Sequence, residues 1–244
     1  MKKLLLILLC LPFIGFGQNV YIPDANFKAY LVANSAINTN GDSEIQVSEA
    51  NSFNAFLSVG FQGITDLTGI EFFTSLTGLD CESNQLTFLD LSNNTDLWFL
   101  ECSNNQLVSL DIYNNPLLQS LYGRNNQLLN LNLTNNTNLC CLELTNNQII
   151  SLDLRNGNNY NLNDLDLSDN SSLTCINVDD STWSANNTAA GHWDIDPQHY
   201  FSNNCSGATN IQEYSTNKEL LKVTDLLTRE TNKTNKSTST LLIR

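Results

Sequence analysis

The stretch Leu76-Thr-Gly-Leu79-Asp-Cys81-Glu-Ser-Asn84-Gln-Leu86 decides the fold, because the chain repeats it. Leu97-Trp-Phe-Leu100-Glu-Cys102-Ser-Asn-Asn105-Gln-Leu107 has the same spacing. Leu118, Leu121, Gly123, Asn126 and Leu128 keep it, as do Leu139, Leu142, Leu144, Asn147 and Ile149. The starts at 76, 97, 118 and 139 are each 21 residues apart, so L-x-x-L-x-L-x-x-N-x-L occurs four times in phase. Self-similarity at a fixed short period means a stack of like units. One such coil cannot bury its leucines, whereas stacked coils place each Leu over the next and make a continuous core. The short L-x-L stretch predicts a parallel strand, with its apolar residues inward and the intervening ones outward. The Asn column (Asn84, Asn105, Asn126, Asn147) falls where the chain turns away. A buried amide there satisfies backbone groups that the turn leaves unpaired, so the column is structural.

Working outward, a degenerate coil precedes these four, with Phe56, Val59, Phe61, Ile64, Leu67 and Ile70 as its apolar ladder. A sixth follows after a 23-residue step, with Leu162, Leu165, Leu167 and Asn170. The second half of each unit copies the first: Leu86, Leu89, Leu91, Asn94, then Leu107, Leu110, Ile112, Asn115. This nested pattern, over residues 56–180, resembles the 21-residue class of bacterial leucine-rich repeats. The resemblance implies an α/β chain: a right-handed solenoid of about six coils, with a parallel β-sheet on its concave face. It also implies a surface that binds rather than a site that catalyses.

A solenoid needs caps, because terminal coils expose core and strand edge. Residues 18–55 predict a small helical N-terminal cap. Phe27, Tyr30 and Leu31 have helical spacing behind Asp24 as N-cap, and Ser48 to Phe56 predicts a second short helix. The loop between resembles an EF-hand calcium loop, with oxygen donors at Asn38, Asn40, Asp42, Glu44 and Glu49 and with Ile45 at the eighth position. No cofactor is expected beyond the structural calcium that this resemblance would imply. It departs from the pattern at Asn38, where Asp is usual, and at Ser43, where Gly makes the sharp turn. The alternative is a polar turn whose Asn and Asp bond their own backbone. At the other end, residues 181–208 predict a cap in which Trp183 and Trp193 cover the exposed core. Cys175 and Cys205 are the cysteines of that region, and a bridge between them would close a loop of about 30 residues, contributing on the order of 3 kcal/mol. Cys81 and Cys102 share one inward position in adjacent coils and are expected to be small buried hydrophobes. Cys140 and Cys141 are not expected to pair, being adjacent, and no CxxC spacing for zinc occurs.

Lys2, Lys3, the apolar run Leu4 to Phe16 and Gly15-Phe16-Gly17 predict a signal peptide over residues 1–17. Its loss would leave six cysteines in a compartment where disulfides form. No second apolar segment follows, so the mature chain is expected to lack a transmembrane segment. In the tail, 209–244, Leu220, Val223, Asp225, Arg229 and Glu230 resemble the start of the C-terminal sorting domain of Bacteroidota type IX secretion. Thr228 stands where that domain has Gly, and its aromatic strand and Gly turn are missing. The resemblance implies a secreted or outer-surface protein; without a working signal the chain stops in the periplasm.

Function is constrained by charge and by absent motifs. Between Gln18 and Thr209 there are 21 acidic residues against three basic ones, and the whole chain has a net charge of −14. So acidic a body repels phosphate backbones and anionic membranes, excluding nucleic acid as a partner. His192 and His199 have no H-E-x-x-H or G-x-S-x-G context and fall in a cap loop expected to be solvated. The Asp164 and Asp166 pair flanks Leu165 on the outward side of a strand, where solubility is role enough. The expected chain is therefore not an enzyme. Outward strand positions supply the candidate binding face: Asp80, Glu82, Phe99, Glu101, Tyr122, Arg124, Glu143, Asp164 and Asp166. Rings beside Arg124 on an acidic face suit a protein partner, or a carbohydrate that stacks on them, engaged by a monomer. The alternatives are a structural or accessory envelope protein without a specific ligand, and an accessory to a hydrolase.

Overall fold

Residues 18–189 and 193–205 are described by the computed structural model; the leader, His192 and the 209–244 tail lie outside the described residues. Leucines recurring every 21 residues fall into register, and their neighbours form three-residue strands. Phe56–Ser58 (β1), Gly78–Asp80 (β2), Phe99–Glu101 (β3) and Ser120–Tyr122 (β4) pair in parallel, in that order. Cys141–Glu143, Asp164–Asp166 and Trp193–Asp194 continue the sheet, so seven strands stack in it among the described residues. Leu57, Leu79, Leu100, Leu121, Leu142 and Leu165 are consecutive register partners, all buried. This is the parallel-sheet solenoid of about six coils that the repeat predicts, with few helices.

The copied half-repeat forms a second parallel sheet. It comprises Asn130–Asn132 (β5), Ser151–Asp153 (β7), Cys175–Asn177 (β9) and Tyr200–Ser202 (β11), where β6, β8 and β10 denote the three strands from Cys141–Glu143 to Trp193–Asp194. In earlier coils the same positions are reduced to a single parallel bridge between Asp90 and Asp111. Leu131, Leu152 and Ile176 point inward from this second ladder and close the core from the other side.

Two asparagine columns hold the turns. Asn105 Nδ2 donates to the carbonyls of Cys81 (3.0 Å) and Cys102 (3.1 Å), and its Oδ1 accepts the Leu86 N–H (3.0 Å). Asn84, Asn126 and Asn147 repeat this arrangement, each bridging its own coil to the preceding one. Asn94, Asn115 and Asn136 form the second column. Asn115 Nδ2 donates to Leu91 O (3.1 Å) and Asn94 O (2.8 Å), so a buried amide again joins neighbouring coils. Just before the first column, Phe61, Ser83, Asn104, Asn125, Asn146 and Asp169 all have φ between 53° and 59°. That left-handed conformation is least costly for Asn and Asp among residues with a Cβ, which suits Asn104, Asn125, Asn146 and Asp169 to these positions.

The first coil differs from its expected ladder. Phe56 and Phe61 are 45% and 73% exposed, because Leu57, not Phe56, is in register with Leu79, and Phe61 occupies the left-handed turn. Val59, Ile64, Leu67 and Ile70 do face inward. In the N-terminal cap, Ala25–Ala33 (α1) starts on Asp24, whose carboxylate accepts the Asn26 and Phe27 N–H groups (2.9 and 3.0 Å). Phe27 and Leu31 are fully buried. The second helix is Val47–Ser52 (α2), shorter than predicted, because Phe56 already belongs to β1.

At the other end the chain adds a helix, Ser181–Ala189 (α3), and an extra rung on each sheet. Trp193 is buried in line with Leu165, and its indole N–H donates to Leu162 O at 3.0 Å. Trp183 stacks edge-on against it, with ring centroids 5.6 Å apart, so both tryptophans cover the core as expected. Cys175 and Cys205 are bridged, with Cα atoms 5.9 Å apart. Among the described residues no helix is long and apolar enough to cross a membrane.

Candidate binding face

Outward side chains of the seven-stranded sheet stand in columns. One column, one residue after each register leucine, reads Ser58, Asp80, Glu101, Tyr122, Glu143, Asp166 and Asp194. Strand spacing of about 4.8 Å brings these carboxylates close together. Asp80 accepts from Ser58 Oγ at 2.7 Å, and Glu101 from the Ser103 N–H at 2.9 Å. Burial pushes the Glu101 carboxyl above its usual range, Glu82 and Asp80 adding to the rise and the Ser103 hydrogen bonds only partly offsetting it. Asp166 goes the other way: burial would raise it, but hydrogen bonds from Ser168 and the Arg124 charge hold it down. Arg124 is already ion-paired with Glu143, its side chain 47% exposed. Glu82 accepts from Asn104 Nδ2, and Asp164 is exposed. The nine sequence-derived residues therefore share one face, but Arg124 serves the carboxylates rather than standing free.

The other outward column starts each strand: Phe56, Gly78, Phe99, Ser120, Cys141 and Asp164. Gly78 has no side chain, and a Cβ there would lie 2.5 Å from the Phe56 ring. Phe56 fills that space and reaches across a whole strand to Phe99, with ring centroids 5.3 Å apart. Phe99 in turn contacts Tyr122 (5.6 Å) and Trp98 (5.8 Å). Four rings thus form one cluster, with Trp98 44% and Phe56 45% exposed.

Neighbours in sequence share this face for a local reason. Cys140 and Cys141 N–H both point at Gln119 O (2.8 and 3.1 Å), and Gln119 and Ser120 N–H both point at Trp98 O (2.8 and 3.1 Å). Two residues on one acceptor suspend the alternation of the pleat, so adjacent side chains emerge together. Trp98 and Phe56 were missing from the expected face because strict alternation and the misassigned first ladder hid them. Aligning Leu57 with Leu79 would have revealed Phe56.

The remaining candidate chemistry is absorbed by structure. His199 is not solvated but buried; its Nδ1 accepts the Asp196 N–H at 3.2 Å, and Nε2 lies 3.3 Å from Asn170 O. Cys81 and Cys102 are unbridged and fully buried, and burial raises both thiols far above their ordinary range. Such thiols are inert. Among the described residues no group of three or more His, Cys, Asp or Glu side chains gathers as a metal centre.

In the 38–49 loop the expected ligands bond one another and the backbone. Asn38 Nδ2 donates to Val32 O and Asp42 O (2.9 and 2.8 Å), and Asn40 Nδ2 to Asp42 Oδ2 (3.0 Å). Glu44 is ion-paired with Lys28 at 2.6 Å. Glu49 accepts from the N–H groups of Thr39, Asn40 and Gln46 and from Thr39 Oγ1. Burial works to raise the Glu49 carboxyl, and those hydrogen bonds outweigh it, holding it below the usual carboxylate value.

The fold is that of a leucine-rich-repeat protein. Among solved structures, the functional domain of InlJ from Listeria monocytogenes, described as including a cysteine ladder, is 31% identical with a TM-score of 0.55; the match covers 66% of this chain and 38% of that one. Internalin C2 from the same organism is 22% identical with a TM-score of 0.46, over 80% of this chain and 94% of that one. This chain thus spans about two fifths of the InlJ domain. No family model and no curated protein sequence matches the chain.

Proposed function

We propose that the chain is an exported, non-catalytic binding protein of the cell surface or periplasm, which holds a protein partner on its seven-stranded sheet. One observation carries this reading: four touching aromatic rings lie on a rigid sheet, beside a column of carboxylates with little positive charge of its own. Exposed clusters of rings are where binding energy concentrates. Burial and the neighbouring Glu82 and Asp80 disfavour the charge on Glu101, so a cation beside it is stabilising, and a segment pairing Lys or Arg with an apolar anchor fits the face. The sequence likeness to an internalin functional domain supports a binding role.

The test compares the full chain with its Phe56→Ala, Phe99→Ala, Tyr122→Ala triple variant, both immobilised, for capture from the native environment. Wild type is expected to retain a partner that the variant loses by tenfold or more, with unchanged melting temperature. Equal capture rejects this face. Capture that falls steeply with salt marks a basic protein, whereas salt-insensitive capture marks a neutral glycan stacked on the rings.

We also propose that the 38–49 loop closes by its own hydrogen bonds and needs no calcium. Glu49 already accepts four of them, and a bidentate calcium ligand would have to give them up. Calorimetry at millimolar calcium is expected to show no binding heat; a saturable heat would restore Asn38, Asn40, Asp42, Glu44 and Glu49 as ligands.

A further inference from the structure

The vicinal pair Cys140 and Cys141 sits at the border of the aromatic cluster and is used by nothing described so far. Both thiols are half-buried and free, with their Sγ atoms 3.4 Å apart. Adjacent residues in a regular strand point to opposite faces, which would keep two thiols apart. Here both N–H groups converge on Gln119 O, and the two side chains emerge on the same side. The proposed export and the Cys175–Cys205 bridge both suit a compartment where disulfides form. Cys81 and Cys102, fully buried, are out of reach of any oxidant, so the reactive sulfur of the repeats is concentrated at this one pair.

We propose that Cys140 and Cys141 are a redox-modification site, closing into a disulfide between adjacent residues by exchange with a small disulfide such as oxidised glutathione. One cysteine loses its proton to solvent, and its thiolate attacks a sulfur of the small disulfide. A mixed disulfide forms and one glutathione thiolate leaves, taking up a proton. The second cysteine, deprotonated in turn, attacks the protein sulfur of that mixed disulfide and expels the second glutathione. Two protein thiols are oxidised and one small disulfide is reduced to two thiols. Adjacent Cα atoms are closer than those in most bridges, so the ring is strained and readily reversed. Closing it replaces two thiols beside Ser120 and Tyr122 with a group that has no proton to donate, extending the apolar surface of the cluster. The site stands whether or not the sheet holds a partner.

The folded full chain is incubated with oxidised glutathione, acidified, denatured, alkylated and digested, and the peptide holding Cys140 and Cys141 is weighed. The expected product carries no alkyl group and is lighter than the dithiol by both thiol hydrogens. Two alkyl groups, two glutathione adducts or a link to another cysteine would overturn the proposal. In the Cys140→Ser variant, Cys141 is expected to carry glutathione or the alkyl group, having no neighbour to close on. A Cys141 still blocked without either adduct would overturn it as well. Unchanged circular dichroism in both proteins confirms that the fold is the same.

Discussion

Asn105→Ala should lower the stability of the chain by about 3 kcal/mol, while Asn93→Ala should change it by less than about 0.5 kcal/mol. Asn105 is buried and Asn93 exposed. The carbonyls of Cys81 and Cys102 each accept from two asparagines, their own coil's and the next one's, so losing Asn105 leaves each with one. The Leu86 N–H has no such reserve. Its acceptor is Asn105 Oδ1, and Ala strands it in the core. An unsatisfied buried donor costs about 1–3 kcal/mol, and the lost amide donations add to that. Thermal melting should register a drop of roughly 6–12 °C for a chain of this size. Asn105→Asp separates the two halves of the argument. It keeps the acceptor for Leu86 but turns a carboxylate on two carbonyls, so it should be no better than Ala. An Asp variant as stable as wild type would mean that the donor side of the amide contributes nothing.

That asparagine was legible in the sequence because it repeats, and most of what was legible has the same origin. A 21-residue period fixes which leucines meet, hence the register from Leu79 to Leu142, the parallel sheet and the outward columns. It failed where the period weakens. The first coil has no clear L-x-x-L, so Phe56 was placed inside and its part in the ring cluster was lost. The second sheet was visible only as a copied half-repeat, since nothing in Leu131-Asn-Leu133 says that it pairs while Leu89-Asp-Leu91 barely does. Gly78 was unreadable as a functional residue, because its meaning lies in the space it leaves for a ring from the neighbouring strand. The proximity of Cys140 to Cys141 was equally hidden, since it depends on two N–H groups sharing one carbonyl rather than on residue type.

Replacing Cys175 and Cys205 together with Ser should act at one end of the chain, by about 3–4 kcal/mol. The bridge spans a sequence separation of 30 residues, within which lie α3, β10 and β11. That segment seals both sheets: Trp193 covers Leu165, and β11 pairs with β9. Besides the bridge it is held by two short strands, a nine-residue helix, the ring chain from Tyr160 through Trp183 and Trp193 to Phe201, and hydrogen bonds such as those from the Asp169 and Asn170 N–H groups to Asp196 and from the Trp193 indole to Leu162 O. Without the bridge, the entropy of the freed loop weighs against those contacts alone. Coils in a solenoid are coupled to their neighbours, so loss should begin at this cap and spread inward rather than unfold the chain at once. Limited proteolysis should therefore cut between residues 181 and 205 in the double variant while residues 56–166 stay resistant, and melting should broaden or split. Wild type in reductant should behave the same way, because reduction opens the same loop. Asn105→Ala, by contrast, weakens the middle and should leave the cap resistant until the repeats melt. If the double variant resists protease as wild type does, the packing of Trp183, Trp193 and Phe201 holds the cap unaided and the bridge is dispensable.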